Sequence, residues 1–362
     1  MTFWVGNAKQ AASFYTTRFG FEYLAYKGLE TGERKVSSHV VRNHEGATFV
    51  FSSVYNKDSN EEMNKHLVDH GDGVKDVGFM VEDAKAIYEH AIANGGVPVF
   101  PPTESSDENG TVLMSSIRTY GDTTHTFIQN INYKGPFMPG YRVHHLKEEF
   151  NKHLPSIKFN KIDHIVGNQA DLKMEPAVKY YENTLGFHRF WSVDDSMIHT
   201  EYSSLRSIVV TDYDENVKMP INEPANGKRK SQIQEYVDYY HDAGVQHIAL
   251  NTSDVIETVE KMRGRGVEFL SIPDTYYDNI RKNLPDMNIK VSEDIDVLQK
   301  NKILIDYDDK GYLLQIFTKP VEDRPTLFFE VIQRKNHEGF GAGNFKSLFI
   351  SIEEEQSKRG NL

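Results

Sequence analysis

Hydrophobic residues occur in short runs separated by turn residues, and this pattern predicts many short strands. A longer segment with the period of a helix follows the first strand of each group. Two of these predicted helices, 84–94 and 255–264, are each followed by a strand that enters a proline, at 97–101 and 267–273. A strand, a helix and then several turn-separated strands are typical of an α+β fold with a curved, mostly antiparallel sheet.

The chain also repeats itself, and the repeat indicates its domain organisation. Each half holds two units of the order strand, helix and further strands. We predict an N-terminal domain at 1–135, a linker rich in proline and glycine at 136–159, and a C-terminal domain at 160–362. The matching segments are 2–7 with 163–168, 14–21 with 180–187, 73–79 with 244–250, and 121–127 with 311–317.

His164, His247 and Glu330 each lie on a predicted strand and are evenly spaced along the chain. Two neutral imidazoles and one carboxylate on one side of a metal leave its other positions open to substrate and oxygen, which is the ligand set of non-haem Fe(II) oxygenases. A strand histidine, taken alone, is more often a structural residue. At the positions that match the two histidines the first half has Phe3 and Asp76, so we predict that the N-terminal domain is structural or mediates oligomerisation, and holds no metal.

Composition narrows the classes of function. The chain has 362 residues, enough for two domains, and its formal net charge of -12 argues against nucleic acid or an anionic membrane as a partner. The absence of cysteine excludes disulfides, thiolate metal ligands and cysteine nucleophiles. No hydrophobic run reaches the roughly 18 residues of a membrane span. No secretory signal is visible either, so we expect a cytoplasmic protein.

Several stretches of the sequence resemble the vicinal oxygen chelate superfamily, and within it the iron-dependent dioxygenases of aromatic keto acids. The resemblance covers nearly the whole chain. It implies two tandem domains of paired βαβββ modules, with the metal on the concave face of an open, curved, mixed barrel sheet and the helices outside. It also implies a homodimer, or a tetramer as in some members. The most specific stretches are 162–168, 187–195, 201–207, 244–249 and 339–345.

The resemblance further implies an activity. His164, His247 and Glu330 would hold Fe(II), and Gln315 and Gln232 would act with them in catalysis. The substrates would be 4-hydroxyphenylpyruvate and O2. The products would be homogentisate and CO2, formed by oxidative decarboxylation, ring hydroxylation and migration of the side chain, in the breakdown of tyrosine and phenylalanine. Fe(II) with these ligands carries a single formal positive charge, which suits a monoanionic acid.

Flat hydrophobic walls and a few uncharged polar groups suit a substrate with a phenol ring. Phe328 should share the strand face of the glutamate ligand two residues later, and Gln315 should share a face with Phe317. Gln246 is adjacent to His247 and should point to the opposite face unless the strand is distorted. Each of these residues, taken alone, is more often part of a core or of the surface. The other substrate-binding positions that the resemblance implies are Ser207, Asn222, Gln232, Asn344 and Phe345.

Residues 339–343 are rich in glycine and precede a helix with one hydrophobic face at 344–358. We predict a glycine hinge and a lid helix over the iron site, and a helix that is only docked there is the alternative. Three other functions stay open: oxidation of the benzylic carbon of the same substrate, as in hydroxymandelate synthase, ligand binding without catalysis, and a glyoxalase-like zinc or nickel isomerase. The last is disfavoured because all three predicted ligands lie in one half.

Overall fold

Two mixed β-sheets, one from each half of the chain, form the framework of the protein. The structure is a computed structural model that describes residues 1–44, 46–146, 149–193, 204–283 and 289–361. The side chains of Trp191, Val193 and Phe345 lie outside this description. Among the described residues, no helix is both long and hydrophobic enough to cross a membrane.

The first half contains these strands and helices in chain order. They are β1 (Thr2–Trp4), α1 (Ala8–Phe19), β2 (Glu22–Lys27), β3 (Val36–Asn43), β4 (Ala47–Val54), α2 (Glu61–His70), β5 (Gly73–Met80), α3 (Ala84–Ala93), β6 (Pro98–Asp107), β7 (Gly110–Arg118), β8 (Thr124–Asn130) and β9 (Arg142–Val143). The predicted helix at 84–94 is therefore confirmed.

The second half repeats the order and adds three helices. Its elements are β10 (Lys161–Asn168), α4 (Met174–Leu185), β11 (His188–Val193), β12 (Ser204–Thr211), β13 (Lys218–Ala225), α5 (Gln232–Tyr240), β14 (Gly244–Asn251), α6 (Val255–Gly264), α7 (Asp274–Asn283), α8 (Ile295–Asn301), β15 (Leu304–Tyr307), β16 (Tyr312–Phe317), β17 (Phe328–Lys335) and α9 (Phe345–Arg359). The predicted lid helix at 344–358 thus begins one residue later, because Asn344 is its N-cap.

Strand order shows that the halves are built alike. The second sheet has the order β11-β12-β13-β10-β14-β17-β16-β15, and the first has β2-β3-β4-β1-β5-β8-β7-β6 with β9 at the outer edge of β2. In each βαβββ module the first strand pairs in parallel with the last: β1 with β4, β5 with β8, β10 with β13, and β14 with β17. The two modules of a half meet where their first strands pair antiparallel, β1 with β5 and β10 with β14. The predicted α+β class and the paired βαβββ modules are confirmed.

Helices α1 and α4 end in the same way, which explains why their sequences match. Each is followed by a glycine in the left-handed region, Gly20 with φ 72° and Gly186 with φ 65°. The amide of each glycine donates to a carbonyl of the last helical turn. A residue without Cβ adopts this conformation at little cost, so glycine at these positions stops the helix and turns the chain into the next strand.

Strand pairing corrects two of the matches between the halves. Phe3 pairs with Val74 on β5, as Gly167 pairs with Val245 on β14, so Phe3 corresponds to Gly167 and not to His164. The other error concerns strand β8, which lies parallel to β5 as β17 lies parallel to β14. Strand β8 therefore corresponds to β17, whereas the sequence match had assigned it to β16. The first error arises because Val5-Gly6-Asn7 repeats Val166-Gly167-Asn168 three residues away from the register of the strands. The second arises because a glycine turn before a hydrophobic strand occurs in several places.

The corrected register names the first-half residue at the position of Glu330. In the parallel pair β5–β8, Gly78 faces Thr126, as Ala249 faces Glu330 in the pair β14–β17. Asp76, which matches the second histidine, accepts hydrogen bonds from the hydroxyls of Thr124 and Thr126. A threonine hydroxyl does not supply the charge of a carboxylate, so Glu330 has no acidic counterpart at this position of the first half. That the first half holds no metal stays a prediction.

The two halves pack together through the back of the second sheet. Phe329 on β17 is fully buried, and its ring lies 4.8 Å from that of Phe19 and 5.6 Å from that of Tyr15. Since neighbours on a strand point to opposite faces, this packing directs Glu330 away from the first half. The predicted linker is partly built into the framework, since β9 joins the first sheet and Phe159 is buried. The domain boundaries themselves stay a prediction.

Candidate metal centre

His164, His247 and Glu330 lie on β10, β14 and β17, three adjacent strands in the middle of the second sheet. Ala249 on β14 pairs with His164 on one side and with Glu330 on the other. His247 lies two residues before Ala249 and so shares its face. The sheet therefore places all three side chains on one face within neighbouring positions, although they are far apart in sequence.

The ligand atoms of the three residues converge. Oε2 of Glu330 lies 3.1 Å from Nε2 of His164 and 3.4 Å from Nε2 of His247. One ligand atom from each residue can be chosen so that all lie within 4.8 Å of one another. Oε1 of Glu330 is buried and has no hydrogen-bond partner among the described residues. Two imidazole nitrogens and a carboxylate with a spare oxygen fit a divalent metal such as Fe(II).

Two β-bulges orient the histidines. Pairing between β10 and β14 passes over Asp163, immediately before His164, and over Gln246, immediately before His247. Each bulged side chain accepts a hydrogen bond from the neighbouring imidazole, from Nδ1 of His164 to Oδ1 of Asp163 (2.9 Å) and from Nδ1 of His247 to Oε1 of Gln246 (3.1 Å). With the proton on Nδ1, Nε2 of each ring is the ligand nitrogen. The opposite orientation of Gln246 was expected only for an undistorted strand, and the bulge is the distortion that brings its side chain to His247.

Electrostatic interactions keep the carboxylates ionised. Burial raises the pKa of Glu330, but the two histidines outweigh burial and bring the pKa down to about 2. Burial also raises the pKa of Asp163, and hydrogen bonds from His164 and Arg334 lower it far below its usual value. For His247 burial lowers the pKa and outweighs Glu330, so this imidazole is neutral near pH 7. Burial also lowers the pKa of His164, but the charge of Glu330 and the hydrogen bond to Asp163 outweigh burial and raise it above its usual value. Metal binding needs neutral imidazoles and an ionised carboxylate, so it must release the proton of His164.

Three phenylalanine rings surround the imidazoles. Phe328 stacks on His247 with ring centroids 4.9 Å apart, and Phe317 meets the same imidazole edge-on at 5.9 Å. Phe340 meets His164 edge-on at 5.1 Å. The structure thus brings the predicted Phe317 and Phe328 to the site and adds Phe340, which sequence reasoning treated only as part of the hinge. The side chain of Phe345 lies outside the described residues, so its predicted role stays a prediction.

A row of polar residues lies further along the same face. Ser207, Asn222 and Asn168 are lateral partners on β12, β13 and β10, and all three are buried. Asn168 stands four residues after His164, which places it on the same face. Its Oδ1 accepts from Nδ2 of Asn222 at 3.5 Å, and its own Nδ2 has no partner in the described part of the chain. Asn168 was missed, although its even spacing from His164 could have indicated it.

The predicted glutamines lie on two sides of the site. Gln232 and Gln246 border a small cavity of about 30 Å³ together with Phe328. Gln315 is buried on the face of Phe317, and neither atom of its amide finds a partner within the described residues. A Cβ on Gly341, whose φ is 75°, would lie 2.1 Å from Nε2 of Gln315. Only glycine therefore allows this loop to approach the amide so closely.

Asn344 lies at the entrance to helix α9. Its Oδ1 accepts a hydrogen bond from the hydroxyl of Tyr276 at 2.7 Å, and its Nδ2 is buried without a partner among the described residues. Both residues line a cleft of about 980 Å³ that also reaches Phe340. The ring of Phe340 lies between this cleft and His164, so the cleft and the metal centre share one wall.

A second group of possible ligands, His66, His70 and Asp122, lies in the first half. Oδ2 of Asp122 is 2.6 Å from Nδ1 of His66 and 3.7 Å from Nε2 of His70, but the ammonium of Lys75 is 3.5 Å from the same oxygen. Lys75 therefore already neutralises this carboxylate. His70 stacks on Tyr240 of the second half at 4.4 Å. We assign the group to the contact between the halves.

Comparison with known proteins supports this description. Residues 161–326 match the family model described as the Glyoxalase/Bleomycin resistance protein/Dioxygenase superfamily. A solved structure of a mutant 4-hydroxymandelate synthase from Streptomyces coelicolor matches with a TM-score of 0.85 and 25% identity, and the match covers 98% of this chain and 97% of that one. The fold and the triad thus define an enzyme of the vicinal oxygen chelate class with a candidate metal centre.

Two curated relatives are similar over nearly their whole length. The 4-hydroxyphenylpyruvate dioxygenase of Tetrahymena thermophila is 67% identical over 363 residues, which cover 99% of this chain and 90% of the relative. The protein of the same name from Xenopus tropicalis is 61% identical, and the match covers 100% of this chain and 92% of the relative. The chain belongs to the 4-hydroxyphenylpyruvate dioxygenase family.

Proposed function

We propose that the chain is an Fe(II)-dependent dioxygenase that converts 4-hydroxyphenylpyruvate and O2 to homogentisate and CO2 in the breakdown of tyrosine and phenylalanine. The observation that carries the proposal is the convergence of Nε2 of His164, Nε2 of His247 and Oε2 of Glu330 on one face of three adjacent strands. A relative named 4-hydroxyphenylpyruvate dioxygenase is 67% identical to the chain. When bound, Fe(II) would supply the Lewis acid that activates the keto acid and O2.

The residues around the triad have separate tasks in this proposal. His164, His247 and Glu330 hold the metal from one side, so the opposite side stays open to the substrate. Phe317 and Phe328 form flat walls for the aromatic ring and keep water away from the reacting atoms. These tasks need no charged side chain, which preserves the attraction between a cationic centre and an anionic acid.

Uncharged polar side chains orient the substrate and act on it. Gln315 and Gln232 carry amide groups that hold the substrate in the position for reaction, and Gln246 adds orientation of His247. The remaining polar contacts come from Ser207, Asn222 and Asn344, and Phe345 completes the hydrophobic wall. Helix α9 closes over the site as a lid, and the enzyme is cytoplasmic. We also propose that it acts as a homodimer.

Oxygen uptake by the purified protein with Fe(II), ascorbate and 4-hydroxyphenylpyruvate tests the proposal. We expect uptake together with homogentisate, identified by mass spectrometry. His164→Ala should abolish both the binding of iron and turnover, because two ligands do not hold the metal in place. His188→Ala is the matched control, since this histidine lies half exposed on the same sheet.

Three outcomes would change the assignment. An active His164→Ala variant removes this residue from the ligand set. Absence of uptake favours a binding protein. Formation of 4-hydroxymandelate favours the second candidate function, oxidation of the benzylic carbon, which the match to 4-hydroxymandelate synthase keeps open.

A further inference from the structure

Arg334, at the end of β17, connects two parts of the site. Its Nη2 donates to Oδ1 of Asp163 at 2.8 Å, and its Nε donates to Oδ2 at 3.0 Å. Asp163 is the bulged residue that accepts from Nδ1 of His164. This two-pronged pair fixes the plane of the Asp163 carboxylate, because the guanidinium and the carboxylate are both flat and match in spacing. Arg334 therefore acts on the ligand His164 through Asp163.

The third nitrogen of Arg334 holds the segment that leads to the lid helix. Nη1 donates to the carbonyl of Gly339 at 2.6 Å and to the carbonyl of His337 at 3.0 Å. The ring of Phe340 lies 5.5 Å from the guanidinium carbon and meets His164 edge-on. The side chain of Arg334 is only 13% exposed. It contacts both Asp163, which orients the ligand His164, and the segment 337–340.

We propose that Arg334 is a positioning residue that couples the closed state of the segment 337–344 to the orientation of His164. When the segment is in place, two carbonyls and the ring of Phe340 hold the guanidinium where it pairs with Asp163. When the segment opens, Arg334 loses these contacts and the carboxylate loses its fixed plane. Metal affinity and closure of the segment then depend on each other. This inference rests on the proposed function, since it takes the triad to be the metal site.

Arg334→Lys separates the two contacts, because an ammonium keeps the charge but does not span both groups. We expect its affinity for Co(II), measured by the visible spectrum of the bound ion, to fall about 10- to 100-fold, as is usual when the support of a ligand is removed. Arg189→Lys is the control. Arg189 also pairs with two carboxylates, those of Glu175 and Glu182, at an exposed position on β11.

The variant His337→Ala tests the same coupling by loosening the segment 337–344 and leaving Arg334 in place. The ring of His337 accepts from the amide of Gly339 and lies 3.7 Å from a carboxylate oxygen of Asp308, and among the described contacts this side chain has none with Arg334. If closure and ligand orientation are coupled, loosening the segment should lower Co(II) affinity about fivefold or more, because coupling is reciprocal. In the wild-type protein Co(II) should also slow amide hydrogen exchange of residues 337–344. Arg334→Lys should lose this protection.

The outcomes separate this inference from the proposed function. If the wild-type protein binds Co(II), but His337→Ala exchanges faster in the segment and binds Co(II) with unchanged affinity, the coupling is refuted. It is also refuted if Co(II) leaves the exchange of 337–344 unchanged in the wild type. If the wild-type protein fails to bind Co(II), or His164→Ala binds it equally well, the proposed metal centre itself is wrong.

Discussion

At the scale of single residues, the distance between two of the candidate metal ligands depends on the small side chain of Ala249. Ala249 is fully buried and stands between His164 and Glu330 as the strand partner of both. A larger side chain there would push between an imidazole and the carboxylate that must meet at one metal. The distance of 3.1 Å between the ligand atoms therefore depends on a residue that itself offers no ligand.

We predict that Ala249→Val lowers metal affinity about tenfold, a loss typical of changes beside the ligands. The two added methyl groups overpack the space between the ligands, and overpacking costs about 1–3 kcal/mol. Ala25→Val is the matched control, because Ala25 is a fully buried strand residue of the first sheet. The control should lose stability but bind Co(II) like the wild-type protein. Equal Co(II) affinity of both variants would show that Ala249 has no special role.

At the scale of strands and helices, the sequence was informative about elements and less informative about distortions. The three strands that carry His164, His247 and Glu330 are short, hydrophobic and preceded by turns, so each was predictable. The bulges at Asp163 and Gln246 were not, because a bulge depends on how two strands of different local length pair. Position along the strand alone therefore gave the wrong face for Gln246.

Helix α9 is an element that the sequence predicted only in part, because its main anchor is a contact with another helix. Its hydrophobic face was evident from the sequence, but its anchor was not. Arg359 donates to both oxygens of Glu235 on α5, at 2.9 and 3.2 Å, and Glu235 is almost fully buried. Helix α5 also carries Gln232 at its start. This pair joins the end of α9, the proposed lid, to the helix that carries Gln232, a proposed substrate-binding residue.

We predict that Arg359→Gln uncouples oxygen use from product formation. Without the pair the end of α9 is released, and a lid that closes incompletely admits water to the reaction. The ratio of homogentisate formed to O2 consumed should fall, which an oxygen electrode and product analysis measure together. Lys358→Gln is the control, since Lys358 is exposed and, among the described contacts, pairs with Glu355 and not with α5. An unchanged ratio in Arg359→Gln would contradict the lid.

At the scale of the whole molecule, the two halves share one plan, and the candidate metal centre lies in the second. The repeat was visible in the sequence, and the strand order confirms it. The residue-by-residue match failed at two short segments: the pairing of Phe3 with Val74 revealed an error of register, and the parallel pairing of β8 with β5 revealed a strand matched to the wrong partner. The packing of Phe329 on Phe19 could not be predicted either, since contacts between halves leave no periodic signal.

The contact between the halves includes a charged group whose contribution depends on pH. Burial raises the pKa of Asp122, but hydrogen bonding to His66 and the charges of His66 and Lys75 outweigh burial and bring the pKa to about 2. In the unfolded chain an aspartate has a pKa of about 4. The folded pKa is the lower one, so ionised Asp122 stabilises the fold above about pH 4, and this contribution is lost as the pH falls towards 2.

We therefore predict that Asp122→Asn lowers the free energy of unfolding by about 2 kcal/mol at pH 7, as a depressed pKa of this size implies. Asparagine still accepts a hydrogen bond from His66 but lacks the charge that faces Lys75. Urea unfolding should show that the difference from the wild-type protein shrinks between about pH 4 and pH 2. Asp69→Asn is the control, because Asp69 is exposed and pairs only with Lys65 among the described contacts, and such pairs contribute little. A difference for Asp122→Asn that stays constant down to about pH 2 would assign the loss to packing and not to charge.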